Sequence, residues 1–88
     1  MPQSLAKIVV HLVFSTRERR PLILPHIRQD LEAFLVGISR TVNSPAICVK
    51  TVTDHVHVLF SLSRTHTLAK VVEELKGGSS KWMKTRGP

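Results

Sequence analysis

The chain of 88 residues has room for one domain with a thin core, burying only about 60–65% of the surface its unfolded chain exposes. Hydrophobic residues make up 42% and charged residues 22%, as in an ordinary folded domain, while 13 Lys+Arg against 6 Asp+Glu leave a net charge of +7 that favours a polyanionic partner. The lone Cys48 excludes an internal disulfide framework and a cysteine-built zinc centre within one chain, and no apolar run approaches the roughly 18 residues of a membrane span.

Met1-Pro2-Gln3-Ser4 lacks the basic start of a signal peptide, so the expected setting is a reducing cytoplasm with no membrane attachment. Leu5 to Ser15 then reads as a strand buried on much of both faces, with Ile8, Val10, Leu12 and Phe14 on one side and Val9, His11 and Val13 on the other. His11 is expected as a packed sheet histidine, the alternative being a third nitrogen for a histidine site described below. Thr16-Arg17-Glu18-Arg19-Arg20-Pro21 puts three guanidiniums within four residues, either a solvated turn or a clamp for phosphate oxygens, which the guanidinium fork matches.

From Pro25, apolar residues at Ile27, Leu31, Phe34, Leu35, Ile38 and Val42 recur at steps of three and four, the stripe of an amphipathic helix that ends near Asn43-Ser44-Pro45. Ala46 to Val52 reads as a second strand, with Ile47, Val49 and Val52 apolar, and Thr53-Asp54 supplies the turn into a third. In Asp54-His55-Val56-His57-Val58-Leu59-Phe60-Ser61-Leu62 the apolar residues at 56, 58, 60 and 62 face a core and His55, His57, Leu59 and Ser61 face the other way. Imidazoles two positions apart on a strand point the same way and can share a cation. The alternative is a pair of solvated histidines; the basic loops of the rest of the chain favour the site. Asp54 is a turn residue whose carboxylate can also orient an imidazole from behind.

After Thr65 and Thr67, either of them suited to cap a helix, Leu68, Val71, Val72 and Leu75 form a second stripe. Each glycine of Gly77-Gly78 costs about 1 kcal/mol against alanine in a helix, so the helix either stops there or tolerates the pair because something approaches its backbone. Trp82 and Met83 continue the stripe and are expected in the core rather than as a base-stacking platform. Lys76, Lys81 and Lys84, beside Ser79 and Ser80, offer a surface for backbone phosphate. The order strand, helix, strand, strand, helix is an α+β, ferredoxin-like βαββα pattern without the last strand, in which the first and third strands are neighbours. An open apolar edge at Lys7 to Phe14 then invites pairing with another chain, giving a homodimer or aggregation.

With Thr16-Arg17-Glu18-Arg19-Arg20-Pro21, Asp54-His55-Val56-His57-Val58-Leu59 and Lys76-Gly77-Gly78-Ser79-Ser80 in this order, the chain resembles the single-tyrosine HUH transposases of small bacterial insertion sequences and their relatives at repetitive extragenic palindromes. The likeness spans nearly all of this chain and about the first two thirds of a typical member. It implies a cytoplasmic dimer that recognises DNA hairpins and cuts single strands, with His55 and His57 holding Mg²⁺ or Mn²⁺ against the scissile phosphate. It makes Arg17, Arg19, Arg20, Lys76, Ser79, Ser80 and Lys81 the candidates for holding DNA. The nucleophile in the family is a tyrosine on a C-terminal helix, and the 88 residues contain no tyrosine. The expectation is therefore a single transposase-like domain over 1–88, lacking the last strand and the tyrosine helix, that binds single-stranded or hairpin DNA without cutting it. The rival readings are a DNA-binding remnant without a working metal site and a regulatory module with no nucleic-acid role.

Overall fold

The computed structural model describes residues 7–86, and Leu5 and Ala6 of the expected first strand lie outside them. In order the elements are β1 (Val9–Ser15), a short 3-10 turn (Arg17–Arg19), α1 (Pro25–Thr41), β2 (Ala46–Thr51), β3 (His55–Ser61) and α2 (Leu68–Arg86). The three strands form an antiparallel sheet in the order β1-β3-β2, so the histidine strand is the middle one of the three. Its register sets Val13 opposite His57 and Ser15 opposite His55 on β1, and Lys50 opposite His57 on β2.

Both helices pack on one face of the sheet. Val56, Val58 and Phe60 of β3 are buried there with Leu31, Leu35 and Val42 from the α1 segment and Val71, Leu75 and Trp82 from α2. Val10, Leu12 and Phe14 pack against this cluster from β1. The opposite face carries no helix among the described residues, which corrects the expectation that β1 is buried on both sides: Val9 and Val13 are 48% and 47% exposed. A strand rich in Val and Leu suggests two covered faces, but a sheet with helices on one side covers only alternate residues. Val52 falls just outside β2, and a register shift between Ala46 and Cys48 turns Ile47 out to solvent.

α2 runs unbroken through Gly77-Gly78, and the neighbouring helix explains why. A Cβ on Gly78 would collide with Ile38 Cδ1 of α1, whereas nothing lies near one on Gly77. Close approach of the helices lets Phe34 and Trp82 meet with ring centroids 6.0 Å apart, and the Arg86 guanidinium lies 4.6 Å from the Trp82 ring centre. Thr67 caps α2, its Oγ1 accepting the Lys70 N–H at 3.1 Å. Lys70 also pairs with Glu74 and Glu73 one turn on, and these carboxylates hold its ammonium above the ordinary lysine range. Two buried serines join the layers: Ser39 Oγ accepts the Ala46 N–H at 3.0 Å, and Ser44 Oγ accepts that of Ser63 at 2.9 Å. No helix among the described residues is long and apolar enough to cross a membrane.

Candidate functional site

Strand alternation sends His55 and His57 to the helix-free face, with ring centroids 6.3 Å apart and planes inclined by 29°. Both are half-buried. Each ring has its Nδ1 facing a neighbour. His55 Nδ1 donates to Asp54 Oδ1 at 2.5 Å, and because a carboxylate only accepts, the proton is fixed on Nδ1 and the lone pair left on Nε2. The turn residue Asp54 thus also orients an imidazole from behind. His57 Nδ1 faces His11 Nε2 at 3.4 Å. His11 is exposed on the same open face, a correction to its expected role as a packed sheet histidine. It projects there because Val10 and Leu12 take the core side of β1.

As a metal-binding set this face offers the paired imidazoles of His55 and His57, and among the described residues no group of three or more His, Cys, Asp or Glu is arranged to hold an ion. The donor chemistry fits a divalent cation that draws its other ligands from water and phosphate, provided the two rings lean together at their tips. Lys50, directly opposite His57, adds positive charge beside the pair and favours an anionic oxygen as the next ligand.

The arginine turn is strapped to the histidine strand. Thr16 N–H donates to the Asp54 carbonyl at 2.9 Å, Thr16 Oγ1 to the Arg20 carbonyl at 2.6 Å, and Ile23 N–H to the Thr53 carbonyl at 3.0 Å. Arg28 reinforces this from α1, reaching the Ile23 carbonyl at 3.2 Å and Thr53 Oγ1 at 3.3 Å. Arg17 therefore emerges two residues after Ser15, the strand partner of His55. Glu18 and Arg19 hold the left-handed backbone region with φ of 55° each, an unusual conformation for side chains of their size. Arg19 and Arg20 are exposed, and Arg20 lies 3.8 Å from the Glu18 carboxylate.

Arg17 also lines a groove of about 650 Å³ with Lys76, Ser80, Lys84 and Arg86 of α2, over a floor that includes Phe14, Ile27 and Met83. Among the described residues no carboxylate lines this groove. It brings together two of the expected basic segments, one from the turn after β1 and one from α2, that lie far apart in the chain. Ser79 also lines it but is only 4% exposed, and its hydroxyl donates to the Lys76 carbonyl at 3.0 Å within its own helix. Lys81 is exposed on α2 outside the groove lining. Lys76 and Ser80 belong to the helix layer, on the other side of the sheet from the histidine rings, and Arg17, which lines the groove, follows two residues after Ser15, the strand partner of His55.

Sequence reasoning overlooks Arg86, which enters the groove beside Lys84 because α2 continues past its glycines. The signal that could find it is the apolar stripe, which Trp82 and Met83 carry on toward the end of the helix. Among comparisons with known proteins, the family model described as "Transposase IS200 like" matches residues 4–88. The crystal structure of a candidate transposase from Deinococcus radiodurans superimposes with a TM-score of 0.88 at 23% identity, covering 100% of this chain and 68% of that one. No curated protein matches the sequence.

Proposed function

The chain belongs to the IS200-like transposase family, and on that premise we propose that it is a DNA-binding domain for transposition that takes single-stranded or hairpin DNA. The observation that carries this reading is the paired Nδ1 contacts of His55 and His57, which leave ring nitrogens for an ion beside a turn of arginines. A divalent ion such as Mg²⁺ or Mn²⁺ bound there would polarise a phosphate and stabilise charge on a departing oxygen. Asp54 keeps the His55 proton on Nδ1, which directs Nε2 to serve as the ligand.

Arg17, Arg19, Arg20, Lys76, Ser80 and Lys81 hold the sugar-phosphate chain, the guanidiniums by forked contacts and the ammoniums as point charges. Ser79 acts within the helix, supporting the backbone beneath Lys76. The outer edge of β1, unpaired among the described residues, receives a second copy of the chain to form a homodimer. The setting is the cytoplasm. The 88-residue chain, holding no tyrosine, binds and positions DNA without covalent strand transfer, and nothing in its sequence marks a base placed to activate the Ser79 or Ser80 hydroxyl.

Fluorescence anisotropy with a hairpin oligonucleotide, with and without Mn²⁺, tests this reading. The expected result is binding that Mn²⁺ tightens and that His55→Ala with His57→Ala renders indifferent to Mn²⁺. Binding indifferent to Mn²⁺ in the parent chain would instead favour a remnant that grips DNA through its basic surface alone. A covalent protein-DNA adduct would contradict the absence of strand transfer.

A further inference from the structure

The site described above uses His55 with His57 and leaves His11 as a bystander, yet the geometry of His11 is more specific than that. His11 lies opposite Leu59 and His57 opposite Val13, so the two histidines are diagonal neighbours across the β1–β3 pair, a separation that long side chains bridge. Their rings stand with centroids 5.5 Å apart, tilted by 36°, and Nε2 of His11 is 3.4 Å from Nδ1 of His57. That separation is long for an N–H donor and its acceptor, which prefer about 2.7–3.2 Å. It is instead the bite of a tetrahedral ion: ligand nitrogens about 2.0–2.1 Å from zinc, at the tetrahedral angle, stand about 3.3–3.4 Å from each other.

We propose that His11 Nε2 and His57 Nδ1 form a cross-strand chelate for a zinc-class transition-metal ion, distinct from the His55–His57 pair. Two imidazole nitrogens at this separation suit Zn²⁺, Cu²⁺ or Ni²⁺, whereas the His55–His57 pair holds Mg²⁺ or Mn²⁺ only with phosphate and water oxygens completing the set. The chelate opens onto a groove of about 360 Å³ lined by His11, Cys48, Lys50, Val52, His57 and Leu59. That groove leaves room for water or an anion to complete the coordination, and Lys50, across the strand from His57, favours the anion. An ion held by both rings ties the edge strand β1 to the middle strand. His55 takes no part, its Nδ1 being held by Asp54 and its Nε2 belonging to the divalent-ion site proposed above. The site does not depend on the DNA-binding role.

Calorimetric titration of the 88-residue chain with Zn²⁺ tests the chelate, using His11→Ala, His11→Asn and His55→Ala variants whose fold is checked by circular dichroism. Because a second tethered ligand multiplies affinity by about 10² or more, removing His11 should weaken zinc binding at least about tenfold. His55→Ala should leave it within about threefold, a shift below 1 kcal/mol. In NMR spectra the ring signals of His11 and His57 should shift together on adding zinc. Either folded His11 variant titrating like the parent would overturn the proposal. So would an equal loss in His55→Ala, which would put zinc on the other histidine pair.

Discussion

Gly77 and Gly78 are neighbours in sequence, both lie inside α2, and the structure predicts opposite responses to the same substitution. Gly→Ala in a helix interior contributes about 0.8–1.0 kcal/mol through propensity. At Gly77 an added methyl meets nothing within 4 Å, so Gly77→Ala should realise that gain and raise the melting temperature by about 4–8 °C. At Gly78 the methyl would overlap Ile38 Cδ1 and sit 3.5 Å from Ile38 Cγ1 and 3.8 Å from Phe34 Cε2. Overpacking costs about 1–3 kcal/mol, which cancels or exceeds the propensity gain and leaves Gly78→Ala neutral to about 2 kcal/mol less stable. Removing the offending methyl supplies an internal control. Ile38→Val alone should cost about 0.5–1.5 kcal/mol, but combined with Gly78→Ala it should cost less than the sum, with a coupling of order 1 kcal/mol. Thermal and urea unfolding followed by circular dichroism measure all four. Equal stabilisation by the two alanines, or additive behaviour of the pair, would refute the close helix contact.

Glu32 Oε2 accepts hydrogen bonds from Thr51 N–H at 3.1 Å and Thr51 Oγ1 at 2.7 Å, so Glu32→Ala should cost about 1.5–3 kcal/mol in urea unfolding, with Glu32→Gln losing less. Asp54→Ala removes the carboxylate that fixes the His55 proton and should weaken Mn²⁺ binding by about 10–100-fold, measured by titration, without unfolding the chain. Arg17→Ala and Lys76→Ala should each lower the slope of log affinity for single-stranded DNA against log salt by about 0.7, while Lys70→Ala, paired to its own helix's glutamates, should change it less.

Local periodicity made much of the fold legible. Alternation in Val56 to Leu62 identified the middle strand and the direction of its histidines, and the stripes of Leu31, Leu35, Val71 and Leu75 identified the faces of both helices. The hairpin followed from the brevity of Thr53-Asp54. What stayed hidden depended on partners distant in the chain. Val9 and Val13 look like core residues until the sheet is seen to be covered on one side, and His11 meets His57 only once the β1–β3 register is known. Arg17 and Lys76 share a groove through tertiary packing that no spacing rule encodes. Glu32 and Thr51 are likewise joined across layers. The glycine pair was legible as a choice between a helix end and a close approach, and the Ile38 side chain decides it at Gly78.

The most direct measurement of the central claim is Mn²⁺-induced paramagnetic broadening in NMR spectra of the 88-residue chain, with and without a hairpin oligonucleotide. The account predicts that broadening centres on the His55 and His57 rings, spreads to Ser15 and Asp54, and strengthens when the oligonucleotide supplies phosphate oxygens. Broadening centred elsewhere, or absent from both rings at saturating oligonucleotide, would contradict it.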